Sequence, residues 1–359
     1  MDLKSPQREE PSSWLPTALD KELHKVYIIK VNTDILYVQT AEGLELPVID
    51  VTHPAFKLEL TETEQKAHVA KFLAVSERRA RLPRFLRTAL TRWALRKSAL
   101  GKGILAAHGG VLGAVETYVF KLGPENLGTW AKPMDRRLAA SLPALAVRLR
   151  LQDMARLMAD TLLPALGAST DRPLRFLSLA GGTAIDSLNA LLVLRKEAPS
   201  LLARPIAIDV LDRDRIGPEL GERLLQVLQA DGAPLEGLTI TFRHTLWDWR
   251  SDGAILSAVA TAARATHALA IASSEGGLFE YGTDAEIVDV LKRLHDGNLI
   301  GFVGSVTRAD EPIRRLQCDG GAATHPRGLN AFCKLLAPTG WAVSRVIERP
   351  FSDHVALSP

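Results

Sequence analysis

The chain has 359 residues, 47% hydrophobic and 24% charged, with a formal net charge of +3. This describes a globular chain of two domains or a single one with a large appendage, and 26 Gly with 20 Pro exclude collagen-like and low-complexity classes. The small net charge hides a segregation: between Lys66 and Lys102 eleven Lys or Arg face one acid, Glu77, so this window carries +10 and the rest −7.

Two cysteines, Cys318 and Cys333, are too few for a disulfide framework or a cysteine-based zinc site, and a reduced, cytoplasmic setting is expected. The polar start Met1–Glu10 is unlike a secretory signal peptide. No run of eighteen apolar residues occurs; the nearest, Ile104 to Phe120, is broken by His108, two glycines and Glu116. Neither a membrane span nor a membrane partner is expected.

Residues 1–20, rich in Pro, Ser and charge, are expected to be a flexible terminus. Residues 21–170 read as a small β-element followed by a helical cap that forms the substrate-binding region. Val26–Ile29 and Ile35–Val38 are its strands, joined by turn residues Asn32-Thr33-Asp34. Thr61-Glu62-Thr63-Glu64 has the spacing of a capping box. Leu86, Ala89, Leu90 and Trp93 recur at helical spacing, with Arg84, Arg87, Arg92 and Arg96 mainly on the other side. Gly109-Gly110 and the stretch 123–128 interrupt the helices, and Pro143 should break the amphipathic segment from Asp135 to Leu166.

After Arg172-Pro173 short apolar runs alternate with helix-length segments. Strands are expected at Leu174–Leu179, Pro205–Leu211, Leu238–Phe242, His267–Ala272, Leu299–Val303, Trp341–Ile347 and His354–Leu357. The first five have helix-length connections, the signature of parallel βαβ units. The last two, with Glu348–Asp353 between them, should close as an antiparallel hairpin. The prediction is an α/β, doubly wound, seven-stranded sheet over residues 171–359, with an N-terminal, mainly helical cap.

Ser178-Leu179-Ala180-Gly181-Gly182-Thr183-Ala184 runs from an apolar strand into a small-residue turn that opens a helix. Such a turn lets a ligand approach unpaired backbone N–H groups. Neither the Gly-x-Gly-x-x-Gly of nicotinamide binding nor the Gly-Lys-Ser/Thr of a P-loop is present. The segment resembles the first motif of class I S-adenosylmethionine-dependent methyltransferases, Asp/Glu-x-Gly-x-Gly-x-Gly, with Ser178 in place of the acid and Ala180 and Ala184 in place of two glycines. The resemblance extends over Leu174–Pro359 in strand order and implies the sheet order 3-2-1-4-5-7-6.

By that resemblance Ala180, Gly181, Gly182 and Thr183 would cradle S-adenosylmethionine. Asp212, after the second strand, would accept the ribose hydroxyls, with Asp209 and Asp214 as competitors. Trp247-Asp248 would serve adenine by a flat face and an acceptor, and Ser273 would line the donor side. Glu275 or His244 would be the base if one is needed; Tyr118, Glu280 and Tyr281 would line the acceptor pocket, and the aromatic segment 118–130 would act as a lid. The implied activity is O-methylation of a carboxylate or hydroxyl on a biosynthetic small molecule or peptide, with S-adenosylhomocysteine as product. The alternatives are an RNA methyltransferase using the basic cap, a non-catalytic methyltransferase-like binding protein and, more distantly, a nicotinamide-dependent dehydrogenase. No metal site is expected. The basic window reads first as a solvated helix face and next as a surface, Arg78–Lys102, that could dock an acidic peptide or carrier protein; nucleic acid fits less well, and a homodimer is compatible with these features.

Overall fold

The computed structural model describes residues 34–107, 112–320 and 324–359. The expected flexible start, the strand Val26–Ile29 and the Gly109-Gly110 break lie outside the described residues. A short hairpin opens the described chain, β1 (Tyr37–Gln39) paired antiparallel with β2 (Glu45–Pro47). Its turn forms around Thr40 and Gly43, whose φ is +80°. Helices follow: α1 (Glu62–Ala80), α2 (Arg84–Leu95), α3 (Ala99–Ala106), α4 (Ala114–Leu122), α5 (Pro133–Ala139) and α6 (Leu142–Ala168). Thr61 caps α1 with a complete capping box, its hydroxyl accepting from Glu64 N while Glu64 reaches back to Thr61 N. Pro143 sits in the first turn of α6, behind Ser141 as N-cap, so it marks where a helix starts.

Beyond residue 173 strands and helices alternate as expected: β3 (Leu174–Leu179), α7 (Ile185–Glu197), β4 (Ile206–Asp212), α8 (Ile216–Leu228), β5 (Ile240–Leu246), α9 (Gly253–Ala265) and β6 (Leu269–Ser274). Then come α10 (Leu278–Tyr281), α11 (Asp284–Asp296), β7 (Gly301–Thr307), α12 (Glu311–Gly320), α13 (Gly328–Leu336), β8 (Ala342–Glu348) and β9 (Ser352–Ser358). The seven strands order as β5-β4-β3-β6-β7-β9-β8, the first five parallel and β9 antiparallel to both its neighbours. Renumbered from β3, this is 3-2-1-4-5-7-6.

Two apolar layers sandwich the sheet. Phe176, Ile208, Val210 and Ile271 pack on α6, α7 and α8, and Leu177, Leu179, Ala272 and Phe302 pack on α9, α11 and α13. β3, β6 and β7 are buried along their length, whereas the edge strands β5 and β8 expose alternate residues. Asp34–Pro359 forms one compact unit, and α6, N-terminal to the expected boundary at residue 171, packs directly on β6, β7 and β9. This placement brings polar side chains of α4 and α6 to the carboxyl ends of the strands.

Candidate active site

The strand order reverses between β3 and β6, and ligands of open α/β sheets bind at the carboxyl ends beside such a switch point. The turn from β3 into α7 stands on one side of it. Ala180, Gly182 and Ala184 there all have left-handed backbones, with φ of 48°, 52° and 49°. Two alanines therefore occupy conformations that favour glycine, at roughly 1 kcal/mol each. A Cβ on Gly181 would lie 1.9 Å from Ser178 Oγ, so only glycine fits there. Thr183 is buried beneath the turn.

The loop after β6 meets this turn closely: a Cβ on Gly277 would lie 2.6 Å from the Ala180 methyl. Gly277→Ala is expected to cost about 1–3 kcal/mol by overpacking. Adding Ala180→Gly should recover most of that loss, because it removes the opposing methyl and relaxes a left-handed alanine. Chemical denaturation of both single variants and the double variant checks the coupling; additive losses would refute it.

Of the three acids near the end of β4, Asp212 reaches the turn. Its Oδ2 accepts from Gly182 N at 2.9 Å and its Oδ1 from Asp214 N at 2.9 Å. Asp209 is buried in mid-strand between Arg175 (2.5 Å) and Arg243 (3.1 Å), and Asp214 turns back to Ile216 N. Trp247 is not an open platform. It is 2% exposed in the core, its Nε1 donates to the Asp252 carbonyl, and its ring packs edge-on against Trp249. The neighbouring Asp248 closes its own turn, accepting from Arg250 N.

The two candidate bases are not brought together. His244 lies on β5 with Nε2 2.9 Å from the Asp212 carbonyl, while Glu275 follows β6. Three strand spacings, roughly 14 Å, separate those strands. Glu275 sits at the switch point, its side chain 7% exposed, with Oε2 2.6 Å from Lys121 of α4 and Oε1 3.8 Å from Arg150 of α6. Arg150 also pairs with Glu280 and donates to Ser305. Burial works to lower Arg150, but Glu280 and Glu275 outweigh it and hold the guanidinium charged. Burial pushes the Glu280 carboxyl up against the pull of Arg150, and burial with Glu280 moves the Tyr281 hydroxyl up to about 12.

Three further groups of this region were not singled out from the sequence. Asp186, second residue of α7, is buried, and its carboxyl is pushed up to about 6 by burial and then by Glu275. Its Oδ1 accepts from Ser187 N at 2.8 Å; Ser273 Oγ is close enough to oppose the rise without completing a well-formed hydrogen bond. Lys121 lies in the last turn of α4, and no motif of the sequence marks it. Arg150 interrupts the apolar stripe of α6, and that interruption is the signal that could have found it. One turn further, Asp153 binds Arg349 and His354 Nδ1, and His354 Nε2 lies 3.0 Å from Ser352 Oγ. Burial holds His354 below its ordinary value, so it bridges as a neutral imidazole.

Tyr118, expected to line the acceptor pocket, serves the fold instead. It is 1% exposed, its hydroxyl donates to the Pro47 carbonyl and accepts from Ile49 N, and burial raises its pKa. The helix that carries it nevertheless roofs the turn: Cβ atoms placed on Gly182 and Gly217 would come within 3.3 Å and 2.7 Å of the Ala114 methyl.

No family model matches the chain, and no curated protein matches it in sequence. A possible exported protein from Bordetella parapertussis superposes with a TM-score of 0.52 at 17% identity, covering 84% of this chain and 99% of that one. An O-methyltransferase family protein from Burkholderia thailandensis gives 0.37 at 13% identity, over 63% of this chain and 60% of that one. The O-methyltransferase NcsB1 of neocarzinostatin biosynthesis, in complex with S-adenosylmethionine and 2-hydroxy-5-methyl naphthoic acid, gives 0.36 at 15% identity, over 90% and 80%. Strand order, the antiparallel hairpin beside the fifth parallel strand and the glycine turn after the first make this the class I methyltransferase fold.

Proposed function

We propose that the chain is an S-adenosylmethionine-dependent methyltransferase that methylates an oxygen of a small-molecule acceptor at the β3/β6 switch point. One observation carries this reading. Among the described residues, nine buried side-chain polar atoms have no hydrogen-bond partner, and seven cluster here: Arg150 Nε, Ser178 Oγ, Asp186 Oδ2, Ser187 Oγ, Ser273 Oγ, Glu275 Oε1 and Thr307 Oγ1. An unmet buried polar group costs about 1–3 kcal/mol, so such a concentration fits a site completed by a polar ligand or ordered water. The donors and acceptors suit the zwitterionic and ribose parts of the cofactor, and the alanine- and glycine-walled turn suits its close approach.

Within that reading Gly181, Gly182 and Asp212 hold the ribose end, and Asp186, Ser273 and Glu275 face the amino-acid end. When bound, the cofactor supplies an electrophilic methyl on a sulfonium. The protein then has to align the acceptor, exclude water and take a proton only if the acceptor is a hydroxyl. Glu275, and Asp186 with its elevated carboxyl, are the proton acceptors placed there; His244 is across the sheet. A carboxylate acceptor needs neither, and Arg150 offers it a positive charge. Because α4 covers the turn, loading requires its amino-terminal end to lift.

The non-catalytic alternative is favoured by that same cover together with the engagement of Asp212 by Gly182 N. Isothermal titration with S-adenosylhomocysteine, S-adenosylmethionine and NAD separates the readings. Binding of the two methionine-derived ligands and not of NAD is expected, and Asp212→Ala should weaken S-adenosylhomocysteine by about tenfold to a hundredfold. Unchanged affinity in that variant would remove Asp212 from the ribose site. No binding of either ligand would favour the non-catalytic reading.

A further inference from the structure

The helix α2 (Arg84–Leu95) is amphipathic in the inverted sense. None of its residues is buried; those that turn inward are Arg87, Ala94 and Leu95. Phe85, Leu86, Leu90 and Trp93 face outward at 71%, 42%, 55% and 60% exposure. At 100° per residue they share one arc with Ala89. Of the eleven large exposed apolar residues among the described residues, seven fall between Val75 and Leu105. That stretch overlaps the window whose charge is +10. Arg84, Arg92 and Arg96 border Phe85, Ala89 and Trp93 on this open face, and Lys97 Nζ lies 3.4 Å from the centre of the Trp93 ring.

We propose that α2 docks this protein on an anionic lipid surface. An apolar arc of Phe, Leu and Trp bordered by arginines matches the boundary between acyl chains and phosphate headgroups: the arc enters the apolar layer and the guanidinium groups remain at the phosphates. An acidic peptide would satisfy the arginines yet leave four large apolar side chains without a matching surface. RNA offers phosphates, and base faces on which Phe85 and Trp93 could stack, but it leaves the exposed Leu86 and Leu90 without an apolar surface to enter. Twelve residues cannot span a bilayer, and no helix among the described residues is long and apolar enough to do so. Lying on a membrane is a different physical state from crossing it, and it is the one this helix suits.

Co-sedimentation of the full chain with vesicles tests the proposal. Binding is expected to vesicles of phosphatidylcholine and phosphatidylglycerol in equal parts, and not to phosphatidylcholine alone. The double variants Phe85→Ser/Trp93→Ser and Arg92→Glu/Arg96→Glu should each lose about tenfold or more in binding, with melting temperatures near that of the parent because these side chains are exposed. Equal binding to both vesicle types, or full binding by either variant, would overturn it. So would a dimer in lipid-free sedimentation equilibrium that Phe85→Ser/Trp93→Ser dissociates, since a second copy would then be what covers this face.

Discussion

Lys121→Met is expected to lower the stability of the fold by about 3–5 kcal/mol, the usual cost of removing one partner from a buried ion pair. The switch point holds three buried or nearly buried carboxyl groups, Asp186, Glu275 and Glu280, against two cations, Lys121 and Arg150. Removing Lys121 leaves Glu275 with Arg150 at 3.8 Å, and Arg150 is already committed to Glu280. Typical domains are stable by about 5–15 kcal/mol, so the variant would be marginal. Glu275→Gln should cost less, because it also removes the like charge that Asp186 feels. The double variant Lys121→Met/Glu275→Gln should lose clearly less than the sum of the singles, with a coupling of roughly 2 kcal/mol. Urea denaturation of the four proteins measures this cycle. Additive losses, or a Lys121→Met cost below about 1 kcal/mol, would show that the pair is not a buried latch.

The sheet was legible from the sequence because its signals are local. Each parallel strand is a short apolar run, each crossover is of helix length, and Glu348–Asp353 is too short for anything but a hairpin turn. Boundaries slipped where a strand continues with polar residues: β5 extends through Arg243, His244 and Thr245 because it is an edge strand with an exposed side. The cap was less legible. The pattern at Leu86, Ala89, Leu90 and Trp93 is what a buried helix face shows, yet that face is turned to solvent, and periodicity alone cannot say which side of an amphipathic helix meets the protein.

The candidate site divides in the same way. Gly181, Gly182 and Asp212 follow from their places at strand ends. Asp186, Lys121 and Arg150 do not, because their importance arises where α4, α6 and α7 converge on Glu275, which lies 154 residues beyond Lys121 in the chain. Trp247 stands out beside a ligand motif and Tyr118 in a lid-like aromatic segment ahead of the sheet, but each has its polar atom satisfied by the backbone inside the core. An aromatic residue near a motif in sequence says little about which surface it presents.

Asp186 offers the sharpest pH signature. Its carboxyl sits at about 6 in the folded chain, against about 3.9 when exposed, because burial and Glu275 oppose its ionisation more than the nearby Ser273, the Ser187 N–H and Lys121 favour it. The folded state therefore binds more protons than the unfolded state between those values. Stability from this group is greatest below about pH 4, falls as pH rises through the window, and stays lower by roughly 3 kcal/mol above it. Asp186→Asn keeps the acceptor for Ser187 N and cannot ionise. It should therefore match the parent near pH 4 and exceed it by up to roughly 3 kcal/mol at pH 7, with the parent-minus-variant difference cancelling the other carboxylates. Denaturation of both proteins at intervals from pH 4 to pH 8 reads this directly, and a difference independent of pH would mean that the carboxyl is not perturbed. A gain in stability at neutral pH would also identify Asp186 as a group that burdens the folded state. A buried acid with that liability, beside Ser273 and Glu275, is best explained by what it does for a ligand, so the stabilised variant should bind S-adenosylhomocysteine less well than the parent.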